Sequence, residues 1–240
     1  MRHFGIIGNP VKQSFSAKFF AEKFSREGID AEYSLYPLDK IEDAPALMKQ
    51  LDGLNVTIPY KQAVMPYLDR LDDTAREIGA VNVVKCEKQG DKHILTGYNT
   101  DCIGFMDTIR PHLKEHHTSA LVLGTGGAAK AVYYGLKQLG IEPIYVSRTK
   151  NLKYNQLTED IVREHKVIVN CTPLGMWPQT DSCADIPYSE ITDKHLLFDC
   201  VYNPEKTEVL RRGEEHGAEI VNGLGMLYGQ AEAAWKIWER

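Results

Sequence analysis

The sequence predicts an α/β protein of two lobes, an N-terminal lobe with a mainly parallel sheet and a second α/β lobe following it. Three observations carry this reading. Short apolar runs bounded by Gly, Pro and Asn alternate with amphipathic stretches over residues 4–98, and again over 119–221. A polar segment, residues 111–118, holds His112, His116 and His117 and separates the two successions. A glycine-rich turn, Gly124-Thr125-Gly126-Gly127-Ala128, stands between an apolar run and a helical stretch.

At 240 residues the chain is long enough for one large or two small cores. A net charge of −5, with no block of Lys and Arg, argues against a nucleic-acid or anionic-membrane partner and for a small molecule. Five cysteines (Cys86, Cys102, Cys171, Cys183 and Cys200) are scattered without a C-x-x-C pair, so they read as reduced thiols rather than a disulfide framework or a metal site. The N-terminal apolar run is too short for a signal peptide, and no stretch approaches a membrane span. The expectation is a cytoplasmic protein without a membrane partner, acting as a monomer or homodimer.

In the first lobe, residues 4–8 form a strand ending in Gly8-Asn9-Pro10. A helix over 16–26 follows, with Phe19, Phe20 and Phe24 at core spacing. Ser14 and Ser16 precede it, where hydroxyls cap helices and where two of them at a sheet edge also suit a carboxylate. Residues 31–36 alternate as a strand, 41–51 read as a helix, and 53–58 as a buried strand. This succession implies parallel pairing with right-handed crossovers. Pro59 then ends the strand and places Lys61 in a first helical turn at the carboxyl edge of the sheet, where ligands of open α/β sheets sit. A helix dipole disfavours a cation there, so the ammonium calls for a nearby carboxylate. From this stretch alone, a solvent-exposed lysine is the simpler reading. Asn82 interrupts the apolar run 79–84 and must find hydrogen-bond partners, in backbone or ligand. Residues 94–98 form another strand. Asp101 follows it as the N-cap of a helix over 102–112, or as a carboxylate partner for Lys61. The three histidines lack acidic or cysteine companions at ligand spacing and read as a solvated linker, so no metal is expected.

The second lobe opens with a strand at 119–123, the glycine turn, and a helix to Leu139. Gly-x-Gly-x-x-Ala between a buried strand and a helix is the fingerprint of a dinucleotide site, in which the backbone approaches the pyrophosphate at the helix N-terminus. A plain glycine-rich turn is the alternative. The next strand, 143–146, ends in Ser147-Arg148-Thr149-Lys150, with no acidic residue for a ribose diol. Arg148 suits a 2′-phosphate, which favours NADP over NAD; an ordinary surface arginine is the alternative. Residues 151–166 are too few for a full helix, strand and helix, so this half is shortened after residue 149. Strands at 167–170, 196–201 and 218–221, a helix at 205–216, and a closing helix at 226–238 complete the chain. Ala231, Ala234, Trp235 and Trp238 of that helix are expected to pack back on the first lobe.

Taken together the motifs resemble shikimate dehydrogenase along essentially the whole chain: Gly8-Asn9-Pro10 with Ser14 and Ser16, the run from Asn55 to Lys61, Gly79 to Asn82, Asn99-Thr100-Asp101, Gly124 to Ala128, Ser147-Arg148-Thr149, Asn170 to Met176, and Asn222 to Gln230. The resemblance implies a substrate domain at 1–101, completed by the C-terminal helix 226–240, and a Rossmann-like NADP-binding domain at 102–225, with a cleft between them. It implies NADPH-dependent reduction of 3-dehydroshikimate to shikimate, a step in aromatic amino acid biosynthesis. Carried over by position, Lys61 and Asp101 are the catalytic pair. Ser14 and Ser16 hold the substrate carboxylate, and Thr57, Asn82, Asp101, Tyr202 and Gln230 contact its hydroxyls or ring. Gly124, Gly126, Gly127 and Ala128 bind pyrophosphate, Ser147, Arg148 and Thr149 the adenosine phosphate, and Gly223 and Met226 lie by the nicotinamide.

The sequence departs from the family pattern at several places. Gln13 and Ala17 replace the usual histidine and proline around the serine pair, Cys102 replaces a glycine, and Ser147 stands where asparagine is common. These departures, with the shortened nucleotide lobe, bear on cofactor affinity and lobe contact more than on the chemistry. A paralogous dehydrogenase acting on quinate or an amino-substituted analogue is the nearer rival, since few contacts retune a hydroxyl-binding pocket. A nucleotide-binding sensor without activity is the farther one, and the presence of both Lys61 and Asp101 argues against it.

Overall fold

The computed structural model describes residues 1–11 and 14–240. Gln13, one of the departures noted above, therefore lies outside the described residues. The chain divides into two compact units, Met1–Thr100 with Ala231–Arg240, and Asp101–Gln230.

In the first unit the elements run β1 (Arg2–Gly8), α1 (Phe15–Glu27), β2 (Ala31–Pro37), α2 (Ala44–Met48), β3 (Gly53–Val56), β4 (Arg70–Leu71), α3 (Asp73–Ile78), β5 (Val83–Gln89) and β6 (Lys92–Tyr98). They form one sheet of order β2-β1-β3-β5-β6-β4. The β2, β1 and β3 strands are parallel, as the sequence predicts, whereas β5 runs antiparallel to both of its neighbours. The reversal follows from the tight turn at Gly90 and Asp91, with Gly90 at φ +62°, because so short a link joins only antiparallel strands.

Two predicted helices are cut short by proline. The stretch 41–51 is a 3-10 turn, Ile41–Asp43, followed by the five-residue α2 with Pro45 in its first turn, the position where a missing N–H costs least. No α-helix begins at Lys61. Residues 61–64 form a turn and Met65–Tyr67 a single 3-10 turn. Pro66 has no N–H for the Gln62 carbonyl, so the helix cannot propagate.

Side chains alternate across the sheet, so each face builds its own core. Ile7, Leu54, Val56, Val84 and Leu95 fill one cluster. Phe4, Phe20, Phe24 and Val83 fill the other together with Ala231, Ala234, Trp235 and Trp238, as expected for the closing helix. The Trp238 indole N–H donates to Val84 O at 3.1 Å, and its ring packs directly on Gly53, where a Cβ would collide with it.

The second unit runs α4 (Asp101–Ile109), β7 (Ser119–Leu123), α5 (Gly127–Gln138), β8 (Glu142–Ser147), β9 (Leu152–Lys153), α6 (Glu159–Glu164), β10 (Val167–Asn170), β11 (Leu196–Asp199), α7 (Glu208–Glu215), β12 (Glu219–Val221) and α8 (Leu224–Glu239), whose last turns, from Ala231, belong to the first unit. The sheet order is β12-β11-β10-β7-β8-β9, and every pairing is parallel. Strands added outward on both sides of the first one give the Rossmann-like order of two mononucleotide-binding halves, with the switch point between β7 and β10. Four residues, 148–151, join β8 to β9 with no helix between them, and α6 has only six residues.

A buried carboxylate fixes the loops beyond β10 and β11. Asp199, with 0% exposure, accepts from Asn170 Nδ2 at 2.9 Å, from the Val201 N–H at 2.9 Å and from the Thr207 hydroxyl at 2.5 Å. Asn170 Oδ1 in turn accepts from the Thr172 N–H and hydroxyl. Burial outweighs these bonds and raises the Asp199 pKa from 3.8 to about 6. The folded state therefore holds this proton more tightly than the unfolded state does. The resulting stabilisation is complete below the unfolded pKa and is lost as pH rises through the folded one. Relative to Asp199→Asn, the wild-type chain should lose about 2 kcal/mol of unfolding free energy between about pH 4 and pH 7. Urea titrations of both proteins across that range check this, and a constant difference would refute it.

Candidate active site

In the first unit the functional candidates gather at one sheet edge. The carboxyl ends of β1, β3 and β6 and the amino end of the reversed β5 all meet there, as the pairings Ile7↔Val56, Asn55↔Val83 and Val83↔Tyr98 show. Asn82 is 2% exposed and ties this edge together. Its carbonyl accepts from the Val56 N–H at 2.8 Å and from Asn55 Nδ2 at 3.3 Å. Its side-chain oxygen accepts from the Thr100 N–H at 2.7 Å, and its Nδ2 donates to the Thr100 hydroxyl at 2.9 Å. Thr57 is held by its N–H on Ile7 O at 2.9 Å, and Lys61 by its carbonyl, which accepts from Val81 N–H at 2.7 Å. The Ile58-Pro59 peptide between them is cis, and Lys61 is half-buried.

Ser14 is the N-cap of α1, its hydroxyl accepting from the Ser16 N–H at 3.1 Å. A hydroxyl that accepts one bond still has its own proton to donate. Ser16 is buried beside Tyr33, whose phenol donates to Asn55 Oδ1 at 2.6 Å. Burial pushes the Tyr33 phenol well above its ordinary value, against the lowering bond from Ser16. Tyr33 and Asn55 thus join the serine pair to the Asn82 edge, a link invisible in sequence because it crosses three strands.

Asp101 is the first residue of α4 in the second unit, buried at 5% exposure. There the glycine turn follows β7 directly. Gly124 adopts φ +113°, and a Cβ on it would lie 3.2 Å from Cys171 O, across the switch point. Gly126 caps α5 without any side-chain bond to the first-turn N–H groups, and the first turn holds no acidic residue. A Cβ on Gly126 would meet nothing within 4 Å, so the face above these N–H groups is open to an anion. Gly127 and Ala128 continue this first turn. Beside it, the buried Ser147 hydroxyl accepts from Lys150 N–H and donates to Lys150 O, closing a turn that leaves Arg148, Thr149 and Lys150 exposed. Ser147 shapes this cationic turn, and Arg148 presents its charge.

Tyr154 was not singled out by sequence. Among the described residues its hydroxyl is the one buried side-chain polar atom without a hydrogen-bond partner. Burial raises its pKa, the nearby Cys171 adds to that, and the Arg148 charge opposes it. An orphaned hydroxyl, an open glycine face and an exposed arginine together fit a phosphorylated dinucleotide. Gly223 has no room for a side chain, since a Cβ would lie 3.0 Å from Asp199 O and closer to Cys200 O. Met226 is buried in the core with Phe105 and Val132, Gln230 donates to Leu227 O at 2.9 Å, and Tyr202 is exposed after β11.

The linker histidines are not uniformly solvated as the sequence suggests. His117 is buried because Nδ1 accepts from Lys114 N–H at 3.0 Å while Nε2 reaches Lys194 O. His112 pairs with Glu219 at 2.6 Å. No helix of the described residues is long and apolar enough to cross a membrane.

The family profile "Shikimate dehydrogenase substrate binding domain" matches residues 6–84. The chain is 37% identical to the shikimate dehydrogenase (NADP(+)) of Clostridium beijerinckii, over 100% of this chain and 92% of that protein. The crystal structure of shikimate dehydrogenase from Aquifex aeolicus superposes with a TM-score of 0.86 at 34% identity, covering 99% of this chain and 92% of the other. The shikimate 5-dehydrogenase of Thermus thermophilus, solved with NADP(H) and shikimate, gives a TM-score of 0.87 at 29% identity, with 99% and 93% covered. With sequence identity above 30% over the full chain and the same fold, the chain belongs to the shikimate dehydrogenase family.

Proposed function

We propose that this chain catalyses the reversible, NADPH-dependent reduction of 3-dehydroshikimate to shikimate. The observation that carries the reading is the open N-terminus of α5 behind Gly124, flanked by the exposed Arg148 turn, in a chain whose full-length relatives are NADP(+)-named shikimate dehydrogenases. Gly124, Gly126, Gly127 and Ala128 hold the pyrophosphate, Arg148 and Thr149 the adenosine phosphate with Ser147 shaping their turn, and Gly223 and Met226 lie by the nicotinamide. When bound, NADPH supplies the hydride that turns the substrate ketone into an alcohol.

The chain's own residues bind the substrate and manage the proton. Ser14 and Ser16 bind the carboxylate, and Thr57, Asn82, Tyr202 and Gln230 contact the hydroxyls and ring. As negative charge grows on the ketone oxygen, the Lys61 ammonium stabilises it by a hydrogen bond and then delivers a proton. A cation in that position acts mainly on the transition state. Asp101 orients the ammonium. The net charge of −5, scattered free thiols and lack of a spanning helix among the described residues suit a cytoplasmic monomer or homodimer.

Lys61→Ala should lower kcat by about 10²–10⁴-fold with KM changed only severalfold, as steady-state kinetics would show. An unchanged turnover number would sink the assignment. Arg148→Ala should weaken NADPH binding about tenfold or more while leaving NADH binding as it was, in paired calorimetric titrations. Equal losses for both nucleotides would argue that Arg148 does not read the 2′-phosphate.

A further inference from the structure

Cys171 and Cys200 stand where β10 and β11 end, one residue beyond the paired Asn170 and Asp199. The ladder continues to them, with the Cys200 N–H donating to Asn170 O at 2.9 Å. Because side chains alternate along strands, Asn170 and Asp199 build the polar network on one face and the two thiols turn to the other. There both pack against the core cluster containing Phe105, Val132 and Met226. Their sulfurs are 3.6 Å apart, and both residues are half-buried, within reach of a small reagent. Facing residues on adjacent strands are about 4.8 Å apart, inside the range of about 4.4–6.8 Å between Cα atoms that disulfides span.

The pair also borders the nucleotide turns. Cys171 O lies 3.2 Å from the position of a Cβ on Gly124, and Gly223 packs directly on Cys200 O. We propose that Cys171 and Cys200 form a redox-modification site, a dithiol that a peroxide closes to a disulfide, and that closure weakens nucleotide binding. The thiol chemistry stands by itself, and its effect on the nucleotide rests on the function proposed above.

Burial pushes the Cys171 thiol well above its ordinary value, and the neighbouring Cys200 and Asp199 push it further. Cys171 therefore keeps its proton longer, and with the two sulfurs in contact Cys200 is assigned as the attacking sulfur. The Cys200 thiolate attacks one peroxide oxygen, so that an S–O bond forms, the O–O bond breaks and hydroxide leaves. The Cys171 sulfur then attacks the Cys200 sulfenic acid. Its proton passes to the departing oxygen, an S–S bond forms, and water leaves. The two thiols lose two electrons in total, and the peroxide gains them. Closure draws the sulfurs from 3.6 Å to about 2.05 Å and pulls the two loop ends together beneath Gly124 and Gly223.

The test uses the full chain treated with hydrogen peroxide, alkylated at its remaining thiols and digested for mass spectrometry, with calorimetric titration of NADPH in parallel. A Cys171–Cys200 cross-linked peptide should form, reverse with dithiothreitol, and leave Cys86, Cys102 and Cys183 alkylated. NADPH affinity should fall about tenfold or more, as displacements on this scale do to a positioned site, and recover on reduction. Cys171→Ser should bind NADPH normally when reduced, lose peroxide sensitivity of binding, and accumulate a dimedone-reactive sulfenic acid at Cys200. Absence of the cross-link, or labelling spread evenly over all five cysteines, overturns the site. A cross-linked chain with unchanged NADPH affinity overturns the coupling. A reduced chain that binds no NADPH overturns the proposed function and the coupling together, while the peptide spectrum still decides the dithiol.

Discussion

The first unit depends on the way Asn82 closes its sheet edge. Strands β3, β5 and β6 end together there, and each end leaves backbone groups without ladder partners. Asn82 answers with its own backbone and with both ends of its amide, bonding Val56, Asn55 and Thr100. Loss of this amide would leave the buried Thr100 N–H and hydroxyl unmatched, at a cost of about 1–3 kcal/mol each. Thr100 is held by both ends of this amide, while Thr57 and Lys61 are held alongside by the backbone of Ile7 and Val81. Its burial in an apolar run is thus a consequence of sheet topology, and any role toward a ligand is added to that duty.

The second unit solves the same problem with a carboxylate. Asp199 gathers Asn170, Val201 and Thr207 beyond two parallel strands, and Asn170 passes the constraint on to Thr172. Burying the charge is costly, as its raised pKa shows, yet the three donors give the loops a single arrangement. Gly223 approaches this hub so closely that a side chain is excluded, and Gly124, at φ +113°, lies tightly against the neighbouring Cys171 carbonyl. Rigid loop ends on the polar face, with the dithiol on the other, frame the place where a nucleotide is proposed to bind.

Much of this architecture was legible in the chain. The strands at 119–123 and 167–170 match their observed spans because buried parallel strands are continuous apolar runs stopped by turn residues. The glycine turn was legible for the same reason, since strand, glycines and helix follow in order. Helix propagation at 41–51 and beyond Lys61 was misread because Pro45 and Pro66 act locally against a favourable apolar spacing. The direction of β5 depended on a two-residue link whose geometry the strand pattern does not record. Tyr33 against Asn55, the orphaned Tyr154 hydroxyl and the paired thiols could not be read at all. Each arises from residues far apart in sequence that the sheet brings into register.

Family membership narrows the chemistry, and the roles proposed for Lys61, Asp101 and Arg148 give it a physical form. The most direct measurement follows the absorbance of NADPH with the purified chain before and after addition of 3-dehydroshikimate. NADPH should be oxidised only once 3-dehydroshikimate is present, NADH should substitute poorly, and shikimate with NADP⁺ should drive the reverse reaction while quinate does not. No oxidation with the authentic substrate, or faster turnover of quinate than of shikimate, would contradict it.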